Sequence, residues 1–108
     1  MSDVVSLRSP LEFSRVLKNG IRRQVGGIVL IQAAGDPGPP RLGLIVSKSV
    51  GNAVTRNRVK RRLRHTVRDV RFQSGMDYVI IAHKSAAEVP HPELVGWIRR
   101  ALEQSSNV

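Results

Sequence analysis

Cysteine is absent from these 108 residues. Disulfide staples, thiolate nucleophiles and cysteine-ligated zinc are thereby excluded. Aromatic residues are scarce, with two Phe, one Tyr and one Trp, so any ring available for stacking must come from very few positions. Acids number eight against eighteen Lys and Arg, and they are scattered along the chain. Hydrolysis by bound metals, or by a positioned acid and base, needs such groups gathered at suitable spacing. Asp36, Asp69, Asp77, Glu88, Glu93 and Glu103 show no ligand-like spacing, and His65, His83 and His91 stand apart from one another. No apolar run approaches the roughly 18 residues that mark a membrane span, and no secretory core is evident, so a cytoplasmic location is the expectation.

What is present in excess is positive charge. A formal net charge of +10 on so short a chain creates a long-range field that attracts polyanions. Nucleic acid fits this better than an anionic membrane, because the most basic segment offers only valines and one leucine as apolar anchors. With 41% hydrophobic residues, a chain of this length suits one folded domain over 1–108.

The charge concentrates between Arg56 and Arg71, where eight of the eighteen cations meet a single acid, Asp69. On a helix, Val59, Leu63, Val67 and Val70 share one stripe, while Lys60, Arg61, Arg64, Arg68 and Arg71 project elsewhere. The stripe docks on a core and the cations are displayed rigidly. Like charges at Lys60/Arg64 and Arg64/Arg68 repel by roughly 0.2–0.5 kcal/mol per pair, which a phosphate-rich partner offsets.

Around this segment the pattern predicts an extended or loose arm over 1–7, then a helix opened by a capping box with Ser9 as N-cap, Pro10 at the first helical position and Glu12 reaching back. Phe13, Val16 and Leu17 give it an apolar face, and Asn19-Gly20 supplies a left-handed terminator. Ile28 to Ile31 reads as a strand, Gly35 to Pro40 as a hairpin loop, and Leu42 to Ser47 as its partner strand. Asn52 or Thr55 caps the basic helix and Gly75 closes it. Tyr78 to Ala82 is a further strand. A last helix after Pro90 turns Leu94, Ile98, Ala101 and Leu102 to the core, leaving Trp97 off that stripe, and the tail over 105–108 frays. This is an α+β two-layer sandwich with a small sheet.

The run Arg56-Asn57-Arg58-Val59-Lys60-Arg61-Arg62-Leu63-Arg64, preceded by Gly43-Leu44-Ile45-Val46-Ser47-Lys48 and Gly51-Asn52-Ala53-Val54, resembles the protein subunit of bacterial ribonuclease P. The weaker Phe13…Gly20 helix and Tyr78-Val79-Ile80-Ile81-Ala82 extend the resemblance over nearly the whole chain. It implies an α-β-β-β-α-β-α order with a mixed sheet, a short strand near Ile21, and a left-handed β-α-β crossover through the basic helix, against the usual hand. It further implies an accessory to a catalytic RNA that removes the 5′ leader of precursor tRNA using Mg²⁺ carried mainly by the RNA and the substrate. The protein itself would contribute no catalytic residues, no metal-binding residue is assigned to it, and no dedicated protein partner or membrane is implied. Lys48, Arg56, Asn57, Arg58, Lys60, Arg61, Arg64 and Arg68 would bind the RNA subunit. Phe13 and Leu17 would line a cleft for the single-stranded leader. A general RNA-binding structural protein, or a DNA-binding module with the basic helix in a major groove, are the rival readings.

Overall fold

A computed structural model describes residues 4–106. Helix α1 spans Pro10–Asn19, α2 Ala53–Val67 and α3 His91–Ser106; the strands are β1 Val5–Ser6, β2 Ile21–Val25, β3 Ile28–Ala34, β4 Arg41–Val46 and β5 Met76–Ala82. They form one mixed sheet in the order β1-β4-β5-β3-β2, with β1, β4 and β5 parallel and β3 antiparallel to both β5 and β2. This is the expected α+β class. A two-residue strand, β1, precedes the expected order, so part of the arm lies extended along the sheet. It is held by Val5 N–H to the Pro40 carbonyl at 2.9 Å and Leu7 N–H to the Leu42 carbonyl at 3.0 Å.

The capping box at Ser9 is present: the Ser9 hydroxyl accepts from Leu11 N–H at 3.1 Å and Glu12 Oε1 accepts from Ser9 N–H at 3.2 Å. Gly20 ends α1, but not in the left-handed region; its φ is −81°. Its need for glycine is steric, because a Cβ would lie 2.4 Å from Ile31 Cγ2.

Gly35 to Pro40 is not a hairpin loop. β3 and β4 do not pair; β5 lies between them. The alternation of β5 is buried on both faces, which suits a central strand better than the flanking ones. The loop instead crosses the start of β5, with Gly35 N–H bonded to the Gly75 carbonyl and Gly75 N–H to the Gly38 carbonyl. The tight hairpin is β2–β3, turning at Gly26 with φ +55°. Its first strand is the short one near Ile21 that the resemblance implied.

Asn52 caps α2, its Oδ1 accepting from Thr55 N–H at 3.0 Å. The helix stops at Val67, before Val70, although Val70 remains buried in the same core as Val59, Leu63 and Val67. Gly75, with φ +78°, shapes the turn into β5 rather than closing α2. Helix α3 runs through Ser106, into the segment expected to fray; 107–108 lie outside the described residues, as do 1–3 of the arm.

The sheet separates two apolar clusters. The larger, under α2 and α3, includes Leu30, Tyr78, Ile80, Leu94 and Ile98. Trp97 belongs to it although it lies off the expected stripe of the last helix: its indole occupies the space where a Gly26 Cβ would stand. The smaller cluster, under α1, contains Val16, Ile31 and Val79, with Phe13 and Leu17 packed against it.

Candidate nucleic-acid interface

The positions of the cations on α2 follow from helical geometry. Arg56, Lys60, Arg64 and Arg68 recur at i, i+4 and form a single row beside the buried Val59–Leu63 stripe. That row faces the edge of β4. A cavity of about 470 Å³ is lined by Phe13, Gly43, Leu44, Lys60, Arg64 and Arg68, among others. A second, of about 260 Å³, is lined by Leu44, Ile45, Val46, Arg56, Asn57 and Lys60, with Ala53. The two share Leu44 and Lys60 and together make a groove along β4. Beyond its pairing with β1 at Arg41 and Leu42, β4 is the outermost strand there, so the groove follows an open sheet edge.

Arg58 and Arg61 line neither cavity and are exposed; their helical angles place them on the outer side of α2, away from the core. Lys48 lies exposed in a 3-10 turn, Lys48–Val50, after β4. The predicted cations therefore divide into a groove row and an outer row. Among the described residues none of Lys48, Arg56, Arg58, Lys60, Arg61, Arg64 and Arg68 is in an ion pair, so their charge stays available. Arg62 is different. Its guanidinium turns toward the loop before α3, donating from Nη1 to the Ala86 carbonyl at 3.0 Å and from Nη2 to the Val89 carbonyl. Its position next to the buried stripe was the sequence signal for that role.

Phe13 and Leu17 are both half-buried on the α1 side of the sheet. Phe13 reaches the groove cavity; Leu17 does not line it and packs with the smaller cluster. Helix α1 leaves part of this face open. Ile45, Ile81 and Val29, directly opposite one another across β4, β5 and β3, are each only half-buried. The result is an apolar floor that runs toward the cationic groove, with Phe13 where the two meet.

Sequence reasoning missed a polar cluster under α1. Asp77, 1% exposed, accepts from Arg41 Nε at 2.9 Å and Nη2 at 2.7 Å, and from Arg15 Nη2. Arg41 also pairs with Glu12. Hydrogen bonds from Arg41 hold the Asp77 carboxyl below the usual aspartate range despite the opposing effect of burial, and a hydrogen bond from Ser9 N–H does most to lower Glu12. These contacts join residues far apart in sequence, so no local signal announced them. Among the described residues no three of His, Asp and Glu gather in a way that could hold a metal ion, and the Asp77 and Glu12 carboxylates are saturated by arginine.

The Ribonuclease P family model matches residues 1–106. The chain is 45% identical over 98 residues to the ribonuclease P protein component of Mycobacterium sp. strain KMS, covering 83% of each. It is 41% identical over 100 residues to that of Kocuria rhizophila, covering 89% of this chain and 87% of the relative. The RNase P protein from Thermotoga maritima shares the fold, with a TM-score of 0.79 at 24% identity over 92% of this chain and 96% of that one.

Proposed function

The chain belongs to the ribonuclease P protein family, and we propose that it binds the catalytic RNA subunit and the 5′ leader of precursor tRNA, assisting Mg²⁺-dependent removal of the leader. The observation that supports this best is the shared cavity of Phe13 with Lys60, Arg64 and Arg68. An aromatic ring beside a row of unpaired cations suits a single strand, whose bases stack while its phosphates are neutralised. The groove row of α2, which the resemblance gave to the RNA subunit, serves the strand in this reading because it shares its cavity with Phe13. The outer row, Arg58 and Arg61, with Lys48, serves the structured RNA subunit.

Hydrolysis belongs to the RNA in this reading, with Mg²⁺ on RNA and substrate phosphates. Glu12 and Asp77 are occupied in holding the fold, and the protein's contribution is cationic. Neutralising backbone phosphates releases counterions and reduces the Mg²⁺ needed for the RNA to fold and retain its substrate.

Titration of the RNA subunit across a salt series tests the assignment. Replacing Arg58 and Arg61 by Ala should weaken binding and flatten the slope of log K against log salt by roughly 1–2, with the fold intact. Unchanged affinity and slope would remove the outer row from the interface.

A further inference from the structure

Helix α1 forms one wall of the proposed leader cleft, yet its apolar hold on the sheet is thin. Val16 is its fully buried side chain. Phe13 cannot be driven deeper without closing the cleft it lines, and Leu17 is only half-buried. A helix that must leave an open space beneath it needs another means of fixing its height and angle, and hydrogen-bonded ion pairs supply direction where apolar contact does not.

The cluster around Asp77 has that geometry. Arg15, one turn on from Glu12, donates from Nη1 to the Ala34 carbonyl at 3.0 Å and from Nη2 to Asp77. Glu12, in the first turn, meets Arg41 on β4, which in turn grips both oxygens of Asp77 on β5. Two positions on α1, flanking Phe13, are thus tied to one buried carboxylate. Asp77, Arg41 and Ala33 form a register row two residues from the row of Val79, Gly43 and Ile31 on the same face of the sheet. Space for the carboxylate comes from Gly35, where a Cβ would stand 2.6 Å from Asp77 Oδ1.

We infer that Asp77 is a positioning residue for substrate: through Arg15 and the Arg41–Glu12 pair it sets where α1 holds Phe13 over β4. This rests on the leader reading above. Asp77 is too deeply buried to touch RNA, so any effect it has on the leader must pass through α1. Neutralising it leaves Arg15 and Arg41 facing one another without an anion between them, which pushes α1 off the sheet.

The test uses the assembled complex of protein and RNA subunit, with precursor tRNA and the same tRNA lacking its leader. Asp77→Asn should weaken binding of the leader-bearing substrate about tenfold, a change within what one lost stacking contact accounts for. Affinity for leaderless tRNA and for the RNA subunit should stay unchanged, and saturating substrate should restore the cleavage rate. Amide exchange in α1 should accelerate while that in α2 does not. Should Asp77→Asn fail to fold, Arg15→Ala decides, since it leaves Asp77 gripped by Arg41; it should show the same leader-specific loss, partly restored by Arg15→Lys. Equal losses with and without leader, or no loss in a folded variant, overturn the inference. Phe13→Ala separates the two levels: if it too shows no leader-specific loss, the leader reading falls; if it does while Asp77→Asn and Arg15→Ala do not, only the positioning role falls.

Discussion

Phe13 lies over Gly43 so closely that a Cβ on the glycine would stand 2.3 Å from ring carbon Cε1. The ring is therefore seated by a missing side chain on β4 as much as by its own helix. Gly43→Ala should lift the ring and cost about 1–3 kcal/mol of stability, the usual price of overpacking. Thermal melts and leader-dependent affinity check this together. A variant with wild-type stability and wild-type leader affinity would show that the ring's seat does not matter.

Arg62 sits within the most basic segment but serves the fold. Arg62→Ala strips donors from the Ala86 and Val89 carbonyls, and loss of charged hydrogen bonds of this kind costs about 1–3 kcal/mol. Denaturant unfolding should register that loss, while RNA-subunit affinity measured on the folded variant stays at the wild-type value. A large affinity loss without destabilisation would place Arg62 with the RNA-facing cations instead.

Acid should unfold the protein through the cluster under α1. The Asp77 and Glu12 carboxyls are lowered in the folded state, chiefly by Arg41 hydrogen bonds and by Ser9 N–H respectively. Their contribution is therefore complete above the unfolded values, about 3.9 and 4.3, and is lost as pH falls through the lower folded values. Thermal melts should be flat from about pH 7 to 5 and decline below about pH 4. Asp77→Asn should start lower and decline less steeply. An acid limb identical to wild type would mean that Asp77 does not carry the linkage.

The local parts of this fold were legible in the sequence because short-range chemistry sets them. Ser9 and Glu12 are three residues apart and cap α1 as their spacing requires, and the Val59–Leu63–Val67 stripe orients α2 without help from elsewhere. The cations that line the groove could be named for the same reason. What escaped was decided at long range. The insertion of β5 between β3 and β4 depends on which strand is apolar on both faces, not on the turn residues of Gly35 to Pro40. The conformation of Gly20 and the burial of Trp97 escaped because their neighbours, Ile31 on β3 and Gly26 in the β2–β3 turn, come from other elements. Asp77 looked like an isolated acid until the fold brought Arg15 and Arg41 to it. The division of α2 into a groove row and an outer row likewise needed the position of β4.

The central claim is that this protein assists an RNA that performs the cleavage. The most direct measurement is removal of the 5′ leader from a precursor tRNA at limiting Mg²⁺, comparing protein alone, bacterial ribonuclease P RNA alone, and the two combined. Cleavage should be absent with protein alone, weak with RNA alone, and strong only in the mixture. Cleavage by the protein alone, or no gain on mixing, would contradict the account; the second result would leave a general RNA-binding role in its place.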